Sequence, residues 1–73
     1  MAAAHRLSPR EQEVLGLIAQ GLPGKQIART LSISERTVKF HTSSLLHKLG
    51  AENRAQAVAL ATQRGLLHLP RQG

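Results

Sequence analysis

The chain has 73 residues and no cysteine, so it forms one domain at most and holds neither a disulfide nor a thiolate metal site. Ten Lys and Arg against four Asp and Glu give a net charge of +6 at pH 7, which favours a polyanionic partner such as nucleic acid. The opening residues are too short and polar for a signal peptide, and no apolar run reaches the roughly 18 residues that a membrane span needs. We therefore expect a cytoplasmic domain without a membrane partner.

The first predicted helix covers about residues 9–20. Ser8 is a preferred N-cap, and Pro9 suits the first helical position. Glu11 stands three residues after Ser8, where its carboxylate closes a capping box. Gly21 ends the helix, since glycine is the usual residue after a helix C-terminus.

The second and third predicted helices are separated by a very short connection. Residues 24–31 form a short helix, the Ser32-Ile33 pair forms the turn, and Ser34 caps a helix over about residues 34–49 that Gly50 closes. Two helices joined in this way form a helix-turn-helix unit, whose second helix enters the major groove of DNA.

Helix 3 is amphipathic when its residues are placed about 100° apart around the axis. The stripe predicted to face the core contains Val38, Thr42, Leu45 and Leu49. The opposite stripe is polar and basic, and it contains Arg36, Lys39, Phe40, Ser43 and His47. Because a major groove about 12 Å wide admits one helix, the outward stripe predicts contact with DNA.

The fourth predicted helix, about residues 53–64, begins at Asn53 with Gln56 in the capping-box position and ends at Gly65. It is apolar nearly all round, whereas a surface helix needs only one apolar stripe. One interpretation is an alanine-rich helix favoured by intrinsic propensity. The other is a dimer interface formed by Ala55, Gln56, Ala59, Leu60 and Gln63.

Five segments carry the pattern of a known domain: LSPREQEVL at 7–15, KQIA at 25–28, SERTVKFH at 34–41, KLG at 48–50 and NRAQA at 53–57. Together they resemble the LuxR-type (GerE, NarL/FixJ) helix-turn-helix domain over about residues 7–65. The resemblance implies an all-α fold of four helices. We place this domain at residues 7–67, between an N-terminal tail at 1–6 and a C-terminal tail at 68–73.

The resemblance also implies a function, that of a bacterial transcription regulator binding inverted repeats in double-stranded DNA as a homodimer, commonly through helix 4. Family positions that approach base edges hold Lys39, Phe40 and Ser43. Those near phosphates hold Lys25, Ser34, Thr37, His41, Lys48 and Arg54. The outward stripe adds Arg36 as an expected phosphate contact.

Three departures from the family pattern bear on sequence preference rather than on DNA binding itself. Gly24 stands where Asn is common, and Gln26 stands where Glu is usual. Phe40, the single aromatic residue, is larger than the usual side chain. It could contact a thymine methyl or sugar, or pack against helix 2 or a partner.

Other functional classes fit the sequence less well. His41 and His47 are six residues apart on one helix and cannot share a metal ion, and His5 and His68 add no ligand spacing. Helix 3 offers no acid placed to orient a catalytic histidine, since its one acid, Glu35, stands at the start of the helix; we therefore expect no enzyme activity, no cofactor and no small-molecule ligand. RNA binding lacks stacking aromatics.

A protein-interaction module is the alternative function, with basic helix 3 or apolar helix 4 binding RNA polymerase or a regulator. The DNA-binding domain itself fits two contexts. It could be a complete short regulator or the output part of a response regulator or ligand-sensing protein.

Overall fold

The computed structural model describes residues 6–67, which form four helices: α1 (Pro9–Ala19), α2 (Gly24–Leu31), α3 (Glu35–Leu49) and α4 (Arg54–Gln63). The predicted all-α fold is confirmed, and every helix boundary agrees within one residue. The predicted tails, except Arg6, lie outside the described residues, as do His5 and His68. Among residues 6–67, no helix has the length and apolarity to cross a membrane.

Side-chain caps fix the starts of α1 and α3. The Ser8 hydroxyl accepts a 3.1 Å hydrogen bond from the Glu11 N–H, and the Glu11 carboxylate accepts a 2.8 Å bond from the Ser8 N–H. The Ser34 hydroxyl accepts a 3.0 Å bond from the Thr37 N–H. These bonds satisfy N–H groups that the helices leave unpaired, so both predicted caps are confirmed.

The start of α4 differs from its prediction in one detail. Asn53 caps the helix by accepting a 2.8 Å bond from the Gln56 N–H, as expected. The Gln56 side chain, however, accepts its bond from the N–H of Glu52 instead of the cap residue.

Left-handed glycines follow α3 and α4, with φ +73° at both Gly50 and Gly65, where a side chain would be strained.

Helix α3 lies at the centre of the fold and packs against the other three helices. Its buried residues are Val38, Thr42, Leu45 and Leu49, which confirms the predicted inward stripe. The Thr42 hydroxyl donates a 2.8 Å bond to the Val38 carbonyl, so its burial leaves no donor unpaired. The apolar core is completed by Leu7, Val14, Leu15, Ile18, Ile27, Ala28, Ala57 and Ala61.

Candidate nucleic-acid interface

The turn between α2 and α3 sets the angle at which α3 is presented. Ser32 adopts a left-handed conformation, with φ 58° and ψ 43°, and it is the one non-glycine residue with positive φ between residues 6 and 67. The Ile33 N–H then donates a 2.9 Å bond to the Ala28 carbonyl, and the half-buried Ile33 side chain packs against the core. Polar and apolar contacts together therefore fix the turn.

The predicted outward stripe of α3 faces solvent. Arg36, Lys39, Ser43 and His47 are exposed. Phe40 is 68% exposed, which disfavours packing of its ring against α2. Its ring lies edge-on to that of the half-buried His41, with centroids 5.6 Å apart. Burying an exposed aromatic ring against a partner is favourable, so Phe40 is suited to an apolar contact.

An open groove of about 630 Å³ runs beside α3 and reaches the first residues of α2 and α4. Its polar lining includes one acid, Glu35, and four basic side chains, Lys25, Arg36, Lys39 and Arg54. Three helices thus bring together residues that are distant in the sequence. A groove carrying an excess of positive charge attracts a polyanion such as the DNA backbone.

Two of these cations occupy positions that do not favour helix stability. Arg54 is the first residue of α4 and Lys25 the second of α2, and neither helix has an acid in its first turn. A helix N-terminus carries partial positive charge, which repels cations and attracts anions. The positions of Lys25 and Arg54 therefore favour binding of an external anion.

The Ser34 and Thr37 hydroxyls pair with each other at the start of α3, 2.8 Å apart. Ser34 is exposed and Thr37 is half-buried. Ser34 therefore has a structural role as the N-cap of α3. The hydroxyls of Ser34 and Thr37 both lie near the N-terminus of this helix. Phosphate contact by either residue stays a prediction.

Lys48 lies apart from the groove, between α3 and α1. Its ammonium donates a 2.8 Å bond to the Glu11 carboxylate and a 3.3 Å bond to the Arg6 carbonyl. The Ser44 hydroxyl, one helical turn earlier, donates to the other Glu11 oxygen. This network was not predicted from the sequence, although Ser44 and Lys48 share a helix face. Phosphate contact by Lys48 stays a prediction, and its observed partners give it a structural role.

These contacts keep the buried Glu11 carboxyl ionised. Burial by itself would raise the pKa of Glu11 because it removes water from the charged form. Hydrogen bonds from Lys48, Ser44 and the Ser8 backbone, together with the Lys48 charge, outweigh burial and lower the pKa to about 2. The network is thus an internal ion pair that joins α1 to α3.

The predicted dimer face of α4 lies largely on the outside of the domain. Ala57 and Ala61 point into the core with no exposed surface. Leu60 is half-buried, and the other predicted residues are exposed: Ala55, Gln56, Ala59 and Gln63. Small outward side chains allow a second helix to approach closely.

The described residues contain no group of three or more His, Asp or Glu that could hold a metal ion.

Two helices joined by a short turn, with a left-handed residue in the turn and a basic outward face on the second helix, define a helix-turn-helix domain. The family described as bacterial regulatory proteins, luxR family, matches residues 5–61. The chain therefore belongs to the LuxR family. This family consists of DNA-binding transcription regulators, which confirms the expectation that the domain is not an enzyme.

Individual relatives agree with this assignment. The nitrate/nitrite response regulator NarL of Escherichia coli K12 is 48% identical over 59 residues, which cover 81% of this chain and 27% of NarL. The response regulator ChrA of a heme-sensing two-component system superimposes with a TM-score of 0.81 at 46% identity, covering 84% of this chain and 30% of ChrA. The transcription factor GerE superimposes with a TM-score of 0.80 at 37% identity, covering 85% of this chain and 92% of GerE.

Proposed function

We propose that this domain binds specific sequences in double-stranded DNA, with α3 in the major groove. The observation that carries the proposal is the division of α3 into a fully packed inward stripe and an exposed outward stripe beside a basic groove. A helix with this division can enter the groove without uncovering the core. Because DNA lies in the bacterial cytoplasm, we propose that location for the protein.

We assign the side chains near the middle of the outward stripe to base edges. Lys39, Phe40 and Ser43 lie within about one turn of each other and are exposed. A lysine can donate to guanine acceptors, and an apolar ring can contact a thymine methyl. We assign the DNA backbone to the groove cations Lys25, Arg36 and Arg54, together with Ser34, Thr37 and His41.

Selection of bound sequences from random duplex DNA tests this function directly. The expected result is a short recurring half-site, because only a few side chains reach base edges. The spacing between half-sites reports the arrangement of two domains. Recovery of no preferred sequence would contradict specific binding.

The role of Lys39 is tested on the selected duplex. Lys39→Ala should weaken specific binding by about 1–3 kcal/mol, because one base-edge contact is lost. Arg64→Ala is the matched control, since it removes the same charge from an exposed residue at the end of α4. Equal losses in the two variants would indicate a general charge effect and remove the base contact of Lys39.

We further propose that two copies pair through α4 on an inverted repeat. The exposed face of Ala55, Ala59 and Gln63 supports this pairing because its side chains are small or flexible. Leu60→Glu should lower DNA affinity and abolish dimers in sedimentation while the monomer stays folded. Thr62→Glu, on another side of the helix, is the control. Identical sedimentation and DNA binding in both variants would refute the pairing.

The chain spans 27% of NarL and 30% of ChrA. We propose that this domain is the DNA-binding output part of a transcription regulator. GerE, 92% of which is covered, illustrates that a regulator can also consist almost entirely of this domain.

A further inference from the structure

Gly24, the first residue of α2, does not owe its glycine to backbone conformation. Gly21, Gly50 and Gly65 have φ values of +89°, +73° and +73°, which favour glycine. The backbone of Gly24 lies outside that region. What distinguishes Gly24 is the side chain that lies against it.

The space beside Gly24 is occupied by Arg54. A Cβ atom added to Gly24 would lie 3.5 Å from Nη2 of Arg54, and this guanidinium is the neighbour that it would meet. The first residue of α4 thus extends its side chain over the first residue of α2. Lys25 is the next residue of α2, and all three line the same groove.

We propose that Gly24 is a positioning residue: because no branched or long side chain stands at this position, Arg54 can lie over the start of α2 and contact the same stretch of DNA backbone as Lys25. The inference rests on the proposed DNA binding and deepens it. Neither cation has a helix-stabilising position, as shown above, and the groove sets a single acid against four basic groups. A DNA phosphate supplies the negative charge that balances this excess of basic groups in the groove.

The spacing defines which substitutions test the proposal. A Cβ at 3.5 Å is in ordinary van der Waals contact, so Gly24→Ala leaves Arg54 in place. Gly24→Val adds two methyl groups that fill two of the three staggered positions on Cβ, which restricts rotation away from the guanidinium. Alanine is therefore the matched control for the backbone, and valine is the variant that displaces Arg54.

The measurement is the dependence of duplex-DNA affinity on salt concentration, with a mixed-sequence duplex of about 20 base pairs. Each neutralised phosphate contributes about 0.9 to the slope of log affinity against log salt. We expect Arg54→Ala and Gly24→Val each to reduce the slope by about 0.9, and the double variant to reduce it no further. Gly24→Ala should keep the slope of the unmodified chain.

Several results would overturn the proposal without affecting DNA binding itself. An unchanged slope in Gly24→Val, beside a reduced slope in Arg54→Ala, would show that Gly24 does not position Arg54. An unchanged slope in Arg54→Ala would remove the phosphate contact. Absence of duplex binding by the unmodified chain would instead refute the proposed function.

A second measurement covers the case in which valine disturbs α2. Nuclear Overhauser effects between the Gly24 Hα atoms and the Arg54 side chain in the unmodified domain report their contact directly. Their presence supports the proposal, and their absence refutes it. If Gly24→Val keeps the sequence specificity that Lys39→Ala loses, α3 is still correctly placed in Gly24→Val.

Discussion

Acid should remove a defined part of the stability of this domain through the Glu11 network. Glu11 has its pKa lowered from 4.5 to about 2 in the folded chain. The folded state therefore holds the ionised form more strongly than the unfolded state does. The resulting stability is complete above pH 4.5 and is lost as the pH falls towards about 2.

The magnitude follows from the two pKa values. A change from 4.5 to about 2 corresponds to about 3 kcal/mol of unfolding free energy. A domain of this size has a total stability of about 3–9 kcal/mol at typical values per residue. Loss of the Glu11 contribution alone would therefore remove between about a third and all of this stability near pH 2.

Urea denaturation followed by circular dichroism, at several pH values between about 7 and 2, measures this effect. Other groups also titrate in this range, so the informative quantity is the difference between the unmodified chain and Glu11→Gln. Glutamine keeps the size and the acceptor oxygen but carries no charge. We expect the difference to be present at neutral pH and to shrink as the pH falls.

Glu13→Gln is the matched control. Glu13 lies on the same helix, and its side chain is 57% exposed and 3.3 Å from Arg10. An exposed pair of this kind contributes less than about 1 kcal/mol. If Glu11→Gln were as stable as the unmodified chain at pH 7, or if their difference did not vary with pH, the reasoning would be refuted.

Three further substitutions test the packing and the caps. Gly16→Ala should raise stability by up to about 1 kcal/mol, seen as a higher Tm, because its Cβ would enter open space within α1; a lower Tm would contradict this. Leu45→Ala should cost about 2–5 kcal/mol in urea denaturation because it leaves a cavity at a fully buried position. A smaller loss would indicate collapse of the site. Ser34→Ala should cost about 1 kcal/mol through loss of the Thr37 bond, and no change would mean that water replaces the cap.

Local chemistry explains why so much of the fold could be predicted from the sequence. Ser8, Ser34 and Asn53 each cap the helix that follows, and each effect depends on residues within one turn. The inward stripe of α3 follows from helical periodicity alone. Such features do not require knowledge of how the helices are arranged in space.

Contacts between helices could not be predicted in the same way. The pairing of Glu11 with Lys48 spans 37 positions, and it depends on the rotation of α1 and α3 about their own axes. The contact of Arg54 with Gly24 likewise depends on the relative placement of α2 and α4. Lys48 and Arg54 were both assigned to phosphates from the family resemblance, yet the structure gives them different surroundings.

The rotation of α3 about its axis links stability to recognition. Rotation of α3 about its axis by one residue position, about 100°, would move Lys39 away from the groove and bring buried leucines towards solvent. Near one end of α3 the Ser32 turn and the Ser34 cap hold the helix, and near the other end the Ser44 and Lys48 contacts to Glu11 hold it. Contacts remote from the outward stripe therefore determine which side chains DNA can meet.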